Sequence, residues 1–257
     1  MDDPRIAAVE QNLIAFLGGV ADLPQFRRLG ATNVVAYSSD IAFPLFNAVV
    51  DARFPQGGEV ERARAVLGPY LDRGKPFLWW TTPSTSSPAM VEALAAAGLE
   101  REDVPGMHVP LGGSLPAPPE GVELAVVETG DQGPLVDTMM AGFGFPDDVA
   151  APLAGLFAEY PAEDMVNVLA SVDGDPAGCG TAYVLDDTVG LYNIATLERF
   201  RGRGIGYAVT AALMGHGRDR GCTQAVLHAT EMGRPVYERL GFVEVCQVPQ
   251  YVWTPSS

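Results

Sequence analysis

From Ile205 onward the apolar positions fall at Ile205, Ala208, Val209, Ala212 and Leu213, and spacings of three and four place them on one helix face. Around that helix the C-terminal half alternates short apolar runs with helical patterns. Val122–Val127 reads as a strand, and helical patterns follow over Gly133–Ala141 and Asp147–Tyr160. Val166–Val172 and Gly178–Leu185 read as two strands joined by a tight turn at Asp173-Gly174-Asp175-Pro176. Asp186-Asp187 turns the chain into a further strand, Val189–Thr196. After the helix come a strand at Ala225–Ala229, a short helix at Pro235–Leu240 stopped by Gly241, and an extended run from Phe242 to Trp253. The order β-α-α-β-β-β-α-β-α-β mixes hairpins with crossovers. That excludes a purely parallel nucleotide-binding sheet and predicts an α/β fold of the α+β kind on a mixed sheet.

The N-terminal half repeats the tail of this order. Glu59–Leu71 is helical, Phe77–Thr82 is a strand, Ala89–Ala97 is a helix stopped by Gly98, and Leu99–Leu111 runs extended. The junction Ala97-Gly98-Leu99 parallels Leu240-Gly241-Phe242. Between the halves, residues 112–121 hold four glycines or serines and three prolines, a composition that denies both helix and strand continuity. The expected organisation is therefore an N-terminal domain over 1–111, a linker over 112–121 and a second domain over 122–257, the two domains being divergent copies of one α/β unit.

The chain has 257 residues, 47% of them hydrophobic and 19% charged, enough apolar material for a real core. Its net charge of −16 argues against nucleic acid and anionic membranes as partners, since both demand clustered positive charge, and suits a cationic or amine-bearing one. Three widely spaced cysteines, Cys179, Cys222 and Cys246, form no Cys-x-x-Cys pair, so neither a disulfide framework nor a zinc site is expected. The acidic opening Met1-Asp2-Asp3-Pro4 does not read as a secretory signal, and the longest apolar stretch, about Leu13–Ala21, is too short to span a bilayer. A cytoplasmic protein is the expectation.

Chemistry concentrates at Arg201-Gly202-Arg203-Gly204-Ile205-Gly206, between a predicted strand and a predicted helix. Glycines there let the backbone turn tightly and approach a ligand, and the helix start offers unpaired N–H groups to a phosphate. The dinucleotide fingerprint G-x-G-x-x-G fails, because its third glycine would be Tyr207 or Val209, and the ATP P-loop fails because no G-K-[ST] occurs. An ordinary helix start with flexible glycines is the alternative reading of the loop by itself.

Arg201-x-x-Gly204-x-Gly206, preceded by Tyr192–Thr196 and followed by Val236-Tyr237-Glu238-Arg239-Leu240-Gly241-Phe242, resembles the R/Q-x-x-G-x-G/A signature and L-Y-x-x-L-G-F segment of the GNAT superfamily of N-acetyltransferases. The resemblance covers about Val122–Trp253. It implies two tandem GNAT-like units, a backbone cradle for the pyrophosphate of acetyl-CoA at Arg201, Gly202, Arg203, Gly204, Ile205 and Gly206, and a splayed strand at Ile194, Ala195 and Thr196 that pairs with the pantetheine arm. Tyr237 matches the general acid that protonates the departing thiolate. Thr230 stands where many relatives carry an asparagine that bonds the cofactor arm. The implied reaction is direct acetyl transfer to a primary amine of a small molecule or peptide, without a metal.

No base is assigned. His228 is the one readily titrating side chain on the inner strands, and Asp147, Asp148 and Glu159 read equally well as solvated helix charges. The first half lacks the R/Q-x-x-G-x-G signature, and aligning Gly98 with Gly241 puts Leu94 at the place of Tyr237, so it is expected to be a degenerate copy. Its aromatics Trp79, Trp80, Phe43 and Phe46 read as packing before they read as acceptor contacts. Two other functions fit parts of the pattern: a non-catalytic acyl-CoA sensor, which would tolerate loss of Tyr237, and an assembly subunit. Tandem units suggest a monomer that mimics a dimer, with a homodimer as the alternative.

Overall fold

The computed structural model describes residues 3–29, 33–127, 131–161, 163 and 165–255. In the first half the elements are α1 (Pro4–Val20), β1 (Arg27–Leu29), β2 (Val34–Ser38), β3 (Ala48–Ala52), α2 (Glu59–Arg73), β4 (Phe77–Trp80), α3 (Pro88–Ala96), β5 (Glu100–Glu102) and β6 (Pro105–Pro110). The second half begins with β7 (Val122–Val126), α4 (Gly133–Phe143), α5 (Ala150–Glu159), β8 (Met165–Val172), β9 (Asp175–Leu185) and β10 (Thr188–Thr196). It ends with α6 (Ile205–Asp219), β11 (Gln224–His228), α7 (Arg234–Arg239), β12 (Val243–Gln247) and β13 (Gln250–Trp253). The expected α/β fold on mixed sheets is present, with α1 and β1–β3 as elements the sequence pattern had not marked.

The chain forms two compact units, but neither is a continuous segment. One comprises Met1–Asn12 and Gly106–Val245, the other Leu13–Pro105 and Cys246–Ser257. The C-terminal unit carries a seven-stranded sheet in the order β12-β6-β11-β10-β9-β8-β7, and the N-terminal unit a six-stranded sheet in the order β1-β2-β3-β4-β13-β5. Each sheet thus takes a strand from the other half of the sequence. β6 pairs antiparallel with β11 from Gln224↔Pro110 to His228↔Gly106, while β13 pairs antiparallel with β4 and with β5.

This division differs from the expected boundaries. The runs 99–111 and 242–253, each read as one extended segment, break into two strands that enter different sheets. Both breaks fall at prolines, Pro105 and Pro249, which cannot donate to a ladder and restrict the residue before them. The division between units lies at 105/106 and 245/246. Residues 112–121 form no helix or strand, as expected, yet they are held against α6: Arg218 Nη1 donates to the Gly113 carbonyl at 3.2 Å, and Leu115 lies against Gly215.

α6 packs on the sheet of the C-terminal unit through Ile205, Ala208, Val209, Leu213 and Met214, all buried; Ala211 is buried too, which widens the expected face. Burying each large apolar side chain contributes roughly 1.5–3 kcal/mol, so this face dominates the local energetics. The approach is close because Gly217 lets the helix backbone settle directly on Val189. In the N-terminal unit Leu67, Tyr70, Phe77, Trp79, Leu94 and Tyr251 form the core, Tyr251 coming from β13.

A chain ending at Gln247 retains all seven strands of the C-terminal unit's sheet and removes β13 from between β4 and β5. Hydrogen exchange is expected to show residues 34–80 deprotected while β8–β11 keep their protection. Retained protection of β4 would mean that β13 is dispensable to its sheet.

Candidate active site

β10 is the strand on which the site is built. It pairs in parallel with β11 from Thr188↔Gln224 to Leu191↔Leu227, and there the pairing ends. β11 continues with β6 as far as His228, and β10 continues with β9 as far as Thr196↔Gly178. Beyond Leu191 the ladder between β10 and β11 does not continue, and buried backbone groups there require other partners. The expected splay at Ile194, Ala195 and Thr196 therefore exists as geometry.

A β-bulge accompanies it. Tyr192 faces Thr181 and Ala195 faces Cys179, so Asn193 and Ile194 together oppose Gly180. Asn193 takes φ 54°, a left-handed conformation that asparagine tolerates better than most residues. A Cβ on Gly180 would lie 2.8 Å from the side chains of Val209 and Leu213 and 3.3 Å from Ile194, so only glycine leaves room for the bulge beneath α6. Gly178 does the same for the helix start, where a Cβ would stand 2.7 Å from Ile205.

The loop Arg201–Gly204 leads into α6. Gly202 and Gly204 have φ 77° and 80°, and no side chain caps the helix start at Gly204. The first-turn N–H groups and the positive end of the helix dipole are left open to an anion. Arg199 and Arg203 lie over the Phe200 ring at 4.8 and 5.6 Å, which fixes two positive charges next to the loop. Thr196 Oγ1 is 3.4 Å from where a Gly206 Cβ would be, so the open strand end and the open helix start adjoin. Ile205 differs from its neighbours: its side chain is buried core, and only its backbone faces the loop. This combination fits the pyrophosphate and amide arm that the resemblance implies.

The corresponding helix of the N-terminal unit, α2, also starts after an uncapped glycine, Gly58, but carries acidic residues in its first turn. The Glu59 carboxylate at the start of α2 accepts the Gly57 N–H at 2.8 Å, and Glu61 shares the first turn. Leu94 is fully buried, as are Trp79 and Phe46, in keeping with packing roles.

Tyr237 is 7% exposed, edge-on to Phe242 at 6.2 Å and packed against Gly233. Burial pushes its phenol up to about 12, so the hydroxyl holds its proton at every neutral pH. Thr230 is exposed, and its hydroxyl oxygen accepts the Gly233 N–H at 3.1 Å; it braces the approach to α7 and keeps its proton and one lone pair for an external partner. His228 lies where β11 leaves β10 and stacks on Tyr192 at 6.3 Å. Burial pushes its imidazole down to about 4. Asp147, Asp148 and Glu159 are solvent-exposed.

Sequence reading missed Asn12. It is fully buried, accepts the Tyr192 hydroxyl at 2.8 Å, donates to the Thr188 carbonyl at 3.3 Å, and occupies space that only Gly190 leaves free. It also missed Gly178, Gly180 and Asn193; the only local signal was the run of small residues Gly178-Cys179-Gly180 in a strand.

Residues 137–242 match the family model described as Acetyltransferase (GNAT) family. The mycothiol acetyltransferase of Actinosynnema mirum is 30% identical over 194 residues, covering 71% of this chain. The match spans 65% of that relative's length. Among solved structures, a GCN5-related N-acetyltransferase from Kribbella flavida superimposes with TM-score 0.73 at 19% identity, covering 97% of this chain and 96% of its own. A tandem GNAT protein from the clavulanic acid biosynthesis pathway gives TM-score 0.60 at 16% identity, covering 100% of this chain and 96% of its own. At these identities the likeness is one of fold. Among the described residues no helix is long and apolar enough to cross a membrane.

His228 makes a signed prediction. Its imidazole binds a proton near 6.5 when unfolded and only near 4 when folded, so its stabilising contribution is full above 6.5 and is lost as pH falls through 4. Urea midpoints between pH 7 and 4 are expected to fall less steeply in His228→Phe, which keeps the stack on Tyr192, than in the parent protein. Parallel curves would show that His228 is not buried as a neutral group.

Proposed function

Taking as premise that residues 137–242 make this chain a member of the GNAT superfamily of acetyltransferases, we propose that it transfers an acetyl group from acetyl-CoA directly to a primary amine, at a site in the C-terminal unit. The observation that carries this reading is the adjacency of the open β10 edge and the uncapped, glycine-turned start of α6. The relative's name, mycothiol acetyltransferase, supports acetyl transfer and favours a small-molecule acceptor over a peptide.

Acetyl-CoA supplies the activated acetyl thioester. Backbone N–H groups from Gly202 to Gly206, helped by the charges of Arg201 and Arg203, hold the pyrophosphate. Backbone groups of Ile194, Ala195 and Thr196 pair with the amide arm, and a bulge N–H polarises the thioester carbonyl. Preorganised donors of this kind act with little reorganisation during reaction. As the amine nitrogen bonds to the carbonyl carbon and the C–S bond breaks, Tyr237 gives its hydroxyl proton to the sulfur and recovers one from solvent. The amine sheds its surplus proton to water, since His228 binds protons too weakly near neutrality to serve as base. The products are an amide and free CoA, and no metal takes part. Most of the acceleration comes from holding the two substrates in reacting geometry. In this reading the N-terminal unit takes no coenzyme, because the charges of Glu59 and Glu61 in the first turn of α2 oppose a polyanion there.

Calorimetric titration of acetyl-CoA tests the coenzyme site. One site per chain is expected, with affinity reduced at least about tenfold in Arg201→Glu/Arg203→Glu, as the charge of the loop is reversed. Two sites per chain would overturn the degenerate reading of the first unit. Absence of any binding would sink the acetyltransferase assignment.

Tyr237→Phe is expected to lower kcat about 100-fold, the lower end for a lost general acid, with the acetyl-CoA Kd unchanged. Unaltered turnover would return Tyr237 to a packing role, and a wild type that binds without turnover would make the chain an acyl-CoA sensor.

A further inference from the structure

The bulge in β10 is held by more than the strand beside it. Cys179, Gly180 and Thr181 are consecutive on β9, and each accommodates a different part of the bulge. Gly180 makes room for Ile194. Thr181 Oγ1 accepts a hydrogen bond from the Asn193 side-chain amide at 3.2 Å, and the Cys179 thiol lies 3.7 Å from the Asn193 carbonyl oxygen. Thr181 in turn donates its hydroxyl proton to Asn167 Oδ1 on β8 at 2.8 Å. The result is a directed chain, Asn193 amide to Thr181 hydroxyl to Asn167 carbonyl.

We propose that Asn167, Thr181 and Asn193 are positioning residues: their hydrogen-bonded chain fixes the orientation of the peptide linking Asn193 and Ile194, and so the backbone donor that the acetyl carbonyl meets. This rests on the reading of β10 as the coenzyme-binding strand.

Three observations favour this over ordinary satisfaction of buried polar groups. Thr181 is fully buried and Asn167 is 5% exposed, on neighbouring strands where a pair of aliphatic residues would pack without any polar group to satisfy. The chain of bonds does not end at an arbitrary partner but at the residue that carries the bulge's left-handed turn. The geometry also has a consequence for the site. In a trans peptide the carbonyl and the following N–H point in opposite directions. With the Asn193 carbonyl turned toward Cys179 on β9, the Ile194 N–H points away from β9. On that side β10 has parted from β11. A rotation of this peptide would misdirect the donor without moving the pyrophosphate loop.

The test uses the full chain and three variants. Thr181→Val removes both bonds at nearly constant shape, Thr181→Ser keeps the hydroxyl, and Asn193→Gly keeps the left-handed turn while removing the amide. Without ligand, amide exchange at Ala195, just past the bulge in the β9 ladder, is expected to rise at least about tenfold in Thr181→Val and Asn193→Gly, with Val168 and Ala182 unchanged and Thr181→Ser close to wild type. With acetyl-CoA and an amine acceptor, kcat is expected to fall about 10- to 100-fold in the same two variants, the scale of a small misplacement of reacting groups, while the acetyl-CoA Kd stays within about threefold. Unchanged exchange in Thr181→Val overturns the positioning role, whatever the kinetics show. Raised exchange with unchanged kcat overturns the link to the carbonyl donor. Equal losses in Thr181→Ser and Thr181→Val do the same, since the hydroxyl would then not matter. If the wild type fails to bind acetyl-CoA, the reading of function falls, and the exchange data still decide whether the chain of hydrogen bonds sets the bulge.

Discussion

A strand that carries one residue more than its neighbour cannot stay in register on both sides. In the C-terminal unit β10 keeps β9 by absorbing the extra residue at Asn193–Ile194, and it loses β11 beyond Leu191. A bulge bends its strand and sharpens the local twist, so the parting and the bulge belong together physically. The same few residues of β9 admit the start of α6, because Gly178 clears Ile205 and Gly180 clears Ile194, Val209 and Leu213. Two glycines in one strand therefore place an unpaired strand edge next to an uncapped helix end. Each feature alone is a liability for a folded protein. Together they are the arrangement on which the proposed coenzyme site rests.

Much of the fold was legible along the chain, because its elements are set by local patterns. α6 and β8–β11 lie within a few residues of where periodicity and turn signals put them, and the Gly98 and Gly241 stops sit just beyond the ends of α3 and α7. The exchange of β6 and β13 was not legible. Pro105 and Pro249 mark breaks, but a proline says only that a strand ends, not which sheet the next one joins. That choice depends on pairing with β11 and β4, far away in sequence. The first 58 residues gave even less. Their strands are short, and β2 and β3 are buried on both faces, so the alternation that betrays a strand is missing.

The site divides in the same way. Arg201–Gly206 and Tyr237 were readable because each belongs to a run of adjacent residues whose spacing carries the signal. The residues that shape their surroundings are scattered. Asn12 reaches Tyr192 from a helix 180 positions earlier, and Asn167 reaches Asn193 only through Thr181. Nothing in a local window distinguishes such an asparagine from a surface one. Thr230 illustrates the opposite case: its position was visible, but the use of its hydroxyl by Gly233 depends on a turn that only the folded chain displays.

The two units differ at their helix ends in a few side chains on similar backbone. α3 and α7 end in the same geometry: Gly98 and Gly241 adopt φ 82° and 89°, and the residue after each glycine bonds back to the carbonyl of Leu94 or Tyr237. The backbone is conserved in kind while the side chain at that position changes from a phenol to an isobutyl group. At the other helix the change is one of charge. Both helices start after an uncapped glycine, but Arg201 and Arg203 precede α6 at Gly204, whereas α2 after Gly58 carries Glu59 and Glu61 in its first turn. In a chain of net charge −16, a polyanionic ligand gains nothing from the protein as a whole, so the selection between the two helix starts has to be local. An anion approaching α2 would sit beside Glu59 and Glu61, whose charges oppose what the helix dipole offers. The first unit nevertheless cannot be dispensed with as excess sequence, because β13 fills the gap between its strands β4 and β5, and β6 leaves its end to fill the gap between β11 and β12. Exchange of one strand each way makes both sheets depend on the whole chain, and that dependence preserves the first unit whether or not it binds a ligand of its own.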